Sequence, residues 1–504
     1  MTNELLVVTA LRSEFAALSG QVPDARLERC GMGPSRVTAW LPELIKLAPD
    51  AIVIAGVAGA LDPSLRPGDV IVANEVRDAQ GRAVLRAGGP LAADLRRMGL
   101  RVRVGPIVST DHLVNSVQER DRLAKTGALA ADMESAAIAR TALRRMNGKP
   151  IAVVRVIVDT VASPVNRLAT VPAGVKALRV LRRTGPALRR WADLAASRRV
   201  VLASPRAFCA GVERAIDIVE LALQRYPRPV YVRRQIVHNQ HVVADLEQQG
   251  AVFVDELDDV PDDTTVVFSA HGVAQSVRDE AARRGLNVID ATCPLVGKVH
   301  AEARRFAGRG DTVLLVGHAG HDETEGTLGE VPGSIHLVQN AADAERIEVE
   351  DPDKVAVLLQ TTLAVDEAEQ TVSVLRKRFP LLASSATDDI CYATTNRQRA
   401  VSAIAAESDV LIVLGSQNSS NSKRLVEVAE RAGVAAHLCD DASQLLPEWL
   451  HGKRTIGLTA GASAPPNLVD EVVATLRALG PVEVDERIVA DEKIKFTLPK
   501  GVAG

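Results

Sequence analysis

Two successive α/β parts are what this 504-residue sequence predicts. Three observations carry the expectation. Runs rich in Val and Ile alternate with stretches of helical periodicity, the pattern of a sheet covered by helices on both faces. An arginine-rich stretch around a Gly-Pro pair, Thr184 to Arg199, separates two such series. The second series then places three cysteines, each between an apolar run and a helical pattern, as though one α/β unit were used three times.

In the first series the strands predicted are Leu5–Thr9, Ala51–Val57, Asp69–Val76, Arg101–Val108 and Ala152–Asp159, with helices near Ser13–Leu18, Ser35–Leu47 and Met133–Met146. Gly185-Pro186 predicts a break in regular structure, so residues 182–199 are expected to be a linker between domains at 1–181 and 200–504. From Val200 the run VVLASP opens a new strand, and a helix with Val212, Ala215, Ile216, Val219 and Leu223 on one face follows Cys209. Asp290-Ala-Thr-Cys293 and Asp388-Asp-Ile-Cys391 repeat the arrangement of an acid, a cysteine and a helical pattern.

Bulk properties narrow the function. Hydrophobic residues make up 47% and charged residues 24%, a soluble globular balance, and a net charge of −3 offers no basic field for nucleic acid or an anionic membrane. Aromatics are only 3%, too few for base-stacking surfaces. The longest apolar run, Ala51 to Leu61, is far short of the roughly 20 residues a bilayer requires. The opening Met-Thr-Asn-Glu lacks a signal-peptide pattern, so a cytoplasmic protein is expected. Five cysteines, an odd and sparse number, do not build a disulfide framework.

The cysteines therefore call for chemistry or packing. A thiol at a helix N-terminus faces the positive end of the dipole, which favours the thiolate that binds metal. Three converging thiolates suit a [4Fe–4S] cluster with one iron left open, or a zinc site completed by a histidine. No C-x-x-C pair occurs, so any such site is assembled from distant segments. Polar residues concentrate in the same half: His238-Asn239, His271-Gly272, Gly317-His318-Ala-Gly-His321-Asp-Glu323, Gln360-Thr361-Thr362, Ser416 to Ser422, and Ser463. Most follow strand-like runs, and ligand sites of open α/β sheets form at strand ends. A polar cavity for an oxygen-rich anion beside a metal centre is the expectation. A non-catalytic iron–sulfur or zinc redox sensor is the alternative; it would need the cysteines but has no use for the serine–asparagine tract.

Residues 200–497 resemble the 4-hydroxy-3-methylbut-2-enyl diphosphate reductase family through the blocks PRAFCAGVERAI, VHN, FSAHGV, DATCPLVGKVH, GHAGHDETEGTLGE, QTTL, DDICYATTNRQ, GSQNSSNS and TAGASAP. The resemblance implies three similar α/β units around a central cluster, with Cys209, Cys293 and Cys391 each ligating one iron and the fourth iron meeting the substrate hydroxyl. It also implies that His238, His271, Ser419, Ser420, Asn421 and Ser463 hold the diphosphate. His321 and Thr361 would be further substrate contacts and Glu323 the proton donor. The reaction implied is the reductive removal of an allylic hydroxyl, giving isopentenyl and dimethylallyl diphosphates, the last step of the methylerythritol phosphate route. No nucleotide-binding loop occurs in this half, so electrons are expected from a separate flavodoxin or ferredoxin.

Residues 1–181 resemble the nucleoside phosphorylase and methylthioadenosine/S-adenosylhomocysteine nucleosidase superfamily, including its hopanoid-associated members. The motifs are Ala10-Leu-Arg-Ser-Glu14, Cys30-Gly31-Met-Gly33, Gly56-Val-Ala-Gly59, Asp132-Met133-Glu134-Ser135 and Arg155 to Asp159. The resemblance implies that Glu14 orients an attacking water or phosphate, that Met133 and Glu134 hold ribose, and that Asp159 protonates a purine leaving group. Val158 departs from the serine usual beside that aspartate, and the short segment after Asp159 predicts a reduced closing helix. An inactive docking or oligomerisation module is the alternative. Cys30 and Cys439 read as packing residues.

Overall fold

The computed structural model describes residues 4–146, 148–161, 171–385, 389–499 and 501–502. Two compact units result. One comprises Met1–Val200 with Asp441–Ile456 and Asp470–Val484; the other comprises Val201–Asp440, Gly457–Val469 and Asp485–Gly504.

All five strands expected in the first part form, within an eight-stranded sheet. Leu5–Thr9 lies parallel to both Ala25–Arg29 and Ala51–Ala60. Ile151–Asp159 pairs parallel with Ala51–Ala60 and antiparallel with Val70–Asp78. Val102–Ser109 and the short Ala130–Asp132 complete the return to Ala51–Ala60, so the path closes on itself. Closure explains the near-continuous apolar runs: strands buried on both faces cannot alternate polar with apolar residues. Leu6, Val8, Ile52, Ile54, Ile71 and Val153 form one core with the helices that cover the sheet.

The expected break at Gly185-Pro186 does not occur. One helix, Val171–Ala192, runs through both residues, and the segment expected to be a linker is helical as far as Ala192. Its inner face buries Ala177, Leu181, Thr184, Gly185, Leu188 and Trp191, and Trp191 Nε1 donates to the Ala87 carbonyl at 2.7 Å. Glycine serves close approach here: a Cβ at position 185 would lie 2.4 Å from the Gln21 carbonyl oxygen. Tertiary packing outweighs the local helix-breaking tendency of the pair. Residues 162–170, where the reduced closing helix was expected, lie outside the described residues, as does Asp388.

The second part repeats one strand order three times. In the first sheet the order is Ala251–Val254, Val230–Arg233, Thr265–Phe268, Asn287–Asp290, all parallel. The next has Ile335–Val338, Thr312–Val316, Val355–Leu359, Ala383–Ser384, again all parallel. The third runs Ala436–Cys439, Val410–Leu414, Thr455–Ala460, Arg198–Ser204, with Val482–Ile488 at its edge. Its fourth strand thus comes from the start of the second part rather than from the end of its own unit. The three units expected from the cysteine spacing are present, circularly offset by one strand. No helix among the described residues is long and apolar enough to cross a membrane.

Replacing Gly185 by alanine offers a test of packing against propensity. In an open helix the change gains about 1 kcal/mol, whereas forcing a methyl group onto backbone costs about 1–3 kcal/mol. Gly185→Ala is expected to lower the denaturant midpoint of the full chain; a midpoint at or above that of the parent would show that the helix does not press on Gln21.

Candidate active site

Each of the three cysteines caps a helix. Cys209 precedes Ala210–Arg225, Cys293 precedes Pro294–Gly308 and Cys391 precedes Tyr392–Ala405, each in a non-helical backbone conformation. Three equivalent backbone bonds tie them to the polar loops. Cys209 N donates to Ala462 O at 3.2 Å, Cys293 N to Ala270 O at 2.9 Å and Cys391 N to Thr361 O at 3.0 Å. Since Ala462 adjoins Ser463 and Ala270 adjoins His271, thiols and polar side chains are delivered to one place by the same bonds.

That place is a single cavity. Cys209, Cys293, Cys391, His238, His271, His321, Glu323, Thr361, Ser419, Ser420, Asn421 and Ser463 all line it, so every site residue expected in this half is brought together. Thr362, from the same polar run as Thr361, lines it as well, as do Thr394 and Gly211, which were not singled out in the sequence. Gly211 is there for room: a Cβ on it would stand 2.7 Å from Cys293 Sγ and 3.9 Å from Cys209 Sγ.

Burial, not the helix dipole, dominates the thiols. It pushes Cys391 up to about 12, with Cys209 and Cys293 adding like-charge repulsion. Burial likewise raises Cys293 to about 11, against the backbone N–H groups of Leu295 and Val296. Buried thiols gathered at one cavity are held in the neutral form until a cation arrives, and a coordinated metal deprotonates its thiols outright. The donor set therefore fits a metal centre, with the space opened at Gly211 next to it. Cys30 and Cys439 are buried elsewhere as packing residues.

The polar part of the lining is neutral and partly unpaired. Burial lowers the pKa of all three histidines, His321 to about 4. His238 and His271 stack with ring centroids 4.0 Å apart. His321 Nδ1 accepts from the Glu323 N–H at 3.2 Å, which in the neutral ring leaves the Nε2 proton for a ligand. Neither amide atom of Asn421 and not His271 Nδ1 has a hydrogen-bond partner among the described residues, although Asn421 is only 5% exposed. Each such orphaned atom costs about 1–3 kcal/mol until a ligand pairs it. Asn421 lies in the first turn of the helix Ser420–Arg431, capped by Ser419, a helix end that favours negative charge.

Glu323 is buried, and both its oxygens accept from Thr361, Oε1 from the backbone N–H at 2.7 Å and Oε2 from Oγ1 at 2.9 Å. Burial raises its carboxyl to about 7; the Thr361 bonds oppose the shift and Asp389 adds to it.

The first unit has a separate cavity, lined by the expected Glu14, Met133, Glu134 and Asp159 together with Val158, His112 and Arg120. Its charges are already satisfied. Glu14 accepts from the backbone N–H groups of Ala10, Leu11 and Val57 at 2.7–2.9 Å. Asp132 is held by Ser109, Ser135 and the Arg155 Nε at 2.8 Å. Burial lifts the Glu134 carboxyl above its ordinary range, with Arg155 opposing. Asp159 accepts from both ends of a buried guanidinium, Arg120 Nη2 to Oδ2 at 2.6 Å and Nη1 to Oδ1 at 3.2 Å. Arg120 had no signal in the sequence: it sits in an ordinary short helix, Val117–Ala124.

Comparison with known proteins follows the same division. The Phosphorylase superfamily matches residues 10–181, and the LytB protein family matches residues 200–477. The 4-hydroxy-3-methylbut-2-enyl diphosphate reductase 2 of Mycobacterium bovis is 56% identical over 307 residues, covering 60% of this chain and 93% of that protein. The 4-hydroxy-3-methylbut-2-enyl diphosphate reductase of Acidothermus cellulolyticus is 58% identical over 303 residues, 60% of this chain and 89% of its own. The solved E-1-hydroxy-2-methyl-but-2-enyl-4-diphosphate reductase from Plasmodium falciparum superposes with a TM-score of 0.59 at 36% identity, covering 61% of this chain and 97% of that one. With the match spanning more than half of its length, the chain belongs to the LytB protein family.

Proposed function

We propose that residues 200–504 reduce 4-hydroxy-3-methylbut-2-enyl diphosphate to isopentenyl and dimethylallyl diphosphates, with a [4Fe–4S] cluster held by Cys209, Cys293 and Cys391. The observation that carries this reading is the company the thiols keep: the same cavity is lined by three cysteines and by Asn421 and His271, whose buried polar atoms lack partners among the described residues. A redox sensor would need the cysteines only.

The reaction takes up two electrons and two protons. The allylic C–O bond breaks, water leaves, and one C–H bond forms at either end of the allyl system, which accounts for two isomeric products. When bound, the cluster supplies the electrons and a Lewis acid for the leaving oxygen. The chain's own residues supply binding and protons. The diphosphate is held by the Ser420–Arg431 helix N-terminus, by Ser419, Ser463 and Asn421, and by neutral imidazoles that donate through N–H groups. Thr361 passes its Oγ1 proton to the leaving hydroxyl and recovers one from protonated Glu323. A reducing cytoplasm suits this chemistry, with a flavodoxin or ferredoxin as the class of electron donor.

For residues 1–181 the Arg120 contact favours binding without purine cleavage. A carboxylate accepting on both oxygens from a guanidinium has no O–H to offer a leaving base. The unit then serves as a ligand-binding or docking module on a phosphorylase-like fold.

With anaerobic protein and a chemical reductant, Glu323→Gln is expected to keep iron and substrate binding while turnover falls by about 10²–10⁴-fold, the worth of a positioned general acid. Because Glu323 must be protonated and its carboxyl is raised to about 7, kcat is expected to be full below that pH and to decline above it. Normal turnover by the Gln variant would remove Glu323 from the proton path. For the first unit, a nucleoside panel assayed with and without phosphate is expected to release no free adenine; steady adenine release would restore Asp159 as a proton donor.

A further inference from the structure

Each helix that starts at a cysteine carries a basic residue five or six positions later, at Arg214, Lys298 and Arg397. Each of the three reaches the loop before a different cysteine. Arg214 Nη1 donates to the carbonyls of Ala291 and Thr292, at 3.2 and 3.1 Å, on the two residues before Cys293. Lys298 Nζ meets Asp389 Oδ1 at 3.2 Å, two residues before Cys391. Arg397 donates through Nε and Nη2 to Ala207 O, at 3.1 and 2.8 Å, and through Nη2 to Phe208 O at 3.1 Å, on the two residues before Cys209.

We propose that Arg214, Lys298 and Arg397 close a ring around the cluster site, each tying the helix after one cysteine to the loop before the next, and so act as positioning residues for the three thiolates. The inference rests on the reading that these thiols hold a cluster. The links run from 209 to 293, from 293 to 391 and from 391 back to 209, so the three ligating loops constrain one another through backbone carbonyls and one carboxylate.

Further observations belong to the same device. Ala207 has φ of +61°, a left-handed conformation that a residue with a Cβ rarely adopts. Its carbonyl receives two bonds from Arg397, which is fully buried. The C-terminal segment closes over two of the links: Glu492 accepts from Arg397 Nη1 at 3.1 and 3.2 Å, and Thr497 O accepts from Arg214 Nε at 2.8 Å. Two of the cations are therefore neutralised by carboxylates, Lys298 by Asp389 and Arg397 by Glu492. The hydrogen bonds of Arg214 go to carbonyls, which leave its charge in place near Cys293. Charge close to a cluster sets its reduction potential.

The test uses the full chain, loaded anaerobically with iron and sulfide, and reads cluster release to a ferrous chelator together with the reduction potential. Lys298→Met, Arg214→Gln and Arg397→Lys are each expected to speed release by about 10–100-fold, the usual effect of losing a residue that orients a metal ligand. The potential separates charge from geometry. Arg214→Gln should lower it, Glu492→Gln should raise it by uncovering Arg397, and Arg397→Lys should leave it nearly unchanged while still speeding release. A general loss of stability does not produce shifts of opposite sign. If the parent protein holds its cluster and both Lys298→Met and Arg214→Gln release iron at the parent rate, the ring is wrong and the cluster reading stands; these two variants decide the matter even where Arg397→Lys fails to fold. Should the parent protein take up no cluster at all, the ligand reading itself fails.

Discussion

Burying three thiols at one point is the constraint on which the rest of the second part depends. Burial makes Cys293 and Cys391 unfavourable to ionise there, and the neighbouring sulfurs add to that cost. The fold accepts this because three helices begin at the same cavity and three backbone bonds fix which loop delivers each sulfur. A single thiol so placed would be a packing residue, as Cys439 is. Three of them, beside a glycine that leaves space, make a site whose stability is completed only by a metal.

The two candidate-site cavities differ in one physical respect. In the second part, polar atoms of Asn421 and His271 are buried and unpaired, so a ligand relieves a cost the protein already carries. In the first part the comparable groups are paired internally: Glu14 by backbone amides, Asp132 by Arg155 and two serines, Asp159 by Arg120. Acids of the right type in the right motif are not enough. What separates the two carboxyls is the charge of the partner: Glu323, lifted by burial, accepts only from the neutral Thr361, whereas Asp159 is held on both oxygens by the Arg120 guanidinium.

Much of this was legible in the sequence. Strands such as Ala51–Ala60 and Ile151–Asp159 are long Val- and Ile-rich runs, and the three-unit plan shows in three cysteines each set between an apolar run and a helical pattern. All the expected residues of the reductase site fall in one cavity because their motifs sit at strand ends, where α/β sheets gather ligands. Other features were hidden for physical reasons. Gly185-Pro186 reads as a break, yet the glycine lets a helix lie against the Gln21 carbonyl. Arg120 looks like any charge on a surface helix until the fold turns it onto Asp159. Arg214, Lys298 and Arg397 are unremarkable in a linear reading, since each acts on a segment 77 to 190 residues away. The short strands Gly81–Val84 and Ala130–Asp132 carry too few residues for periodicity to register.

The most direct measurement counts iron and sulfide in anaerobically prepared protein, with serine placed in turn at each of the five cysteines. The account predicts a [4Fe–4S] cluster per chain in the parent, retained in the variants at Cys30 and Cys439 and lost or depleted at Cys209, Cys293 and Cys391. A colourless zinc-loaded parent, or full iron retained after any of the latter three replacements, would contradict it.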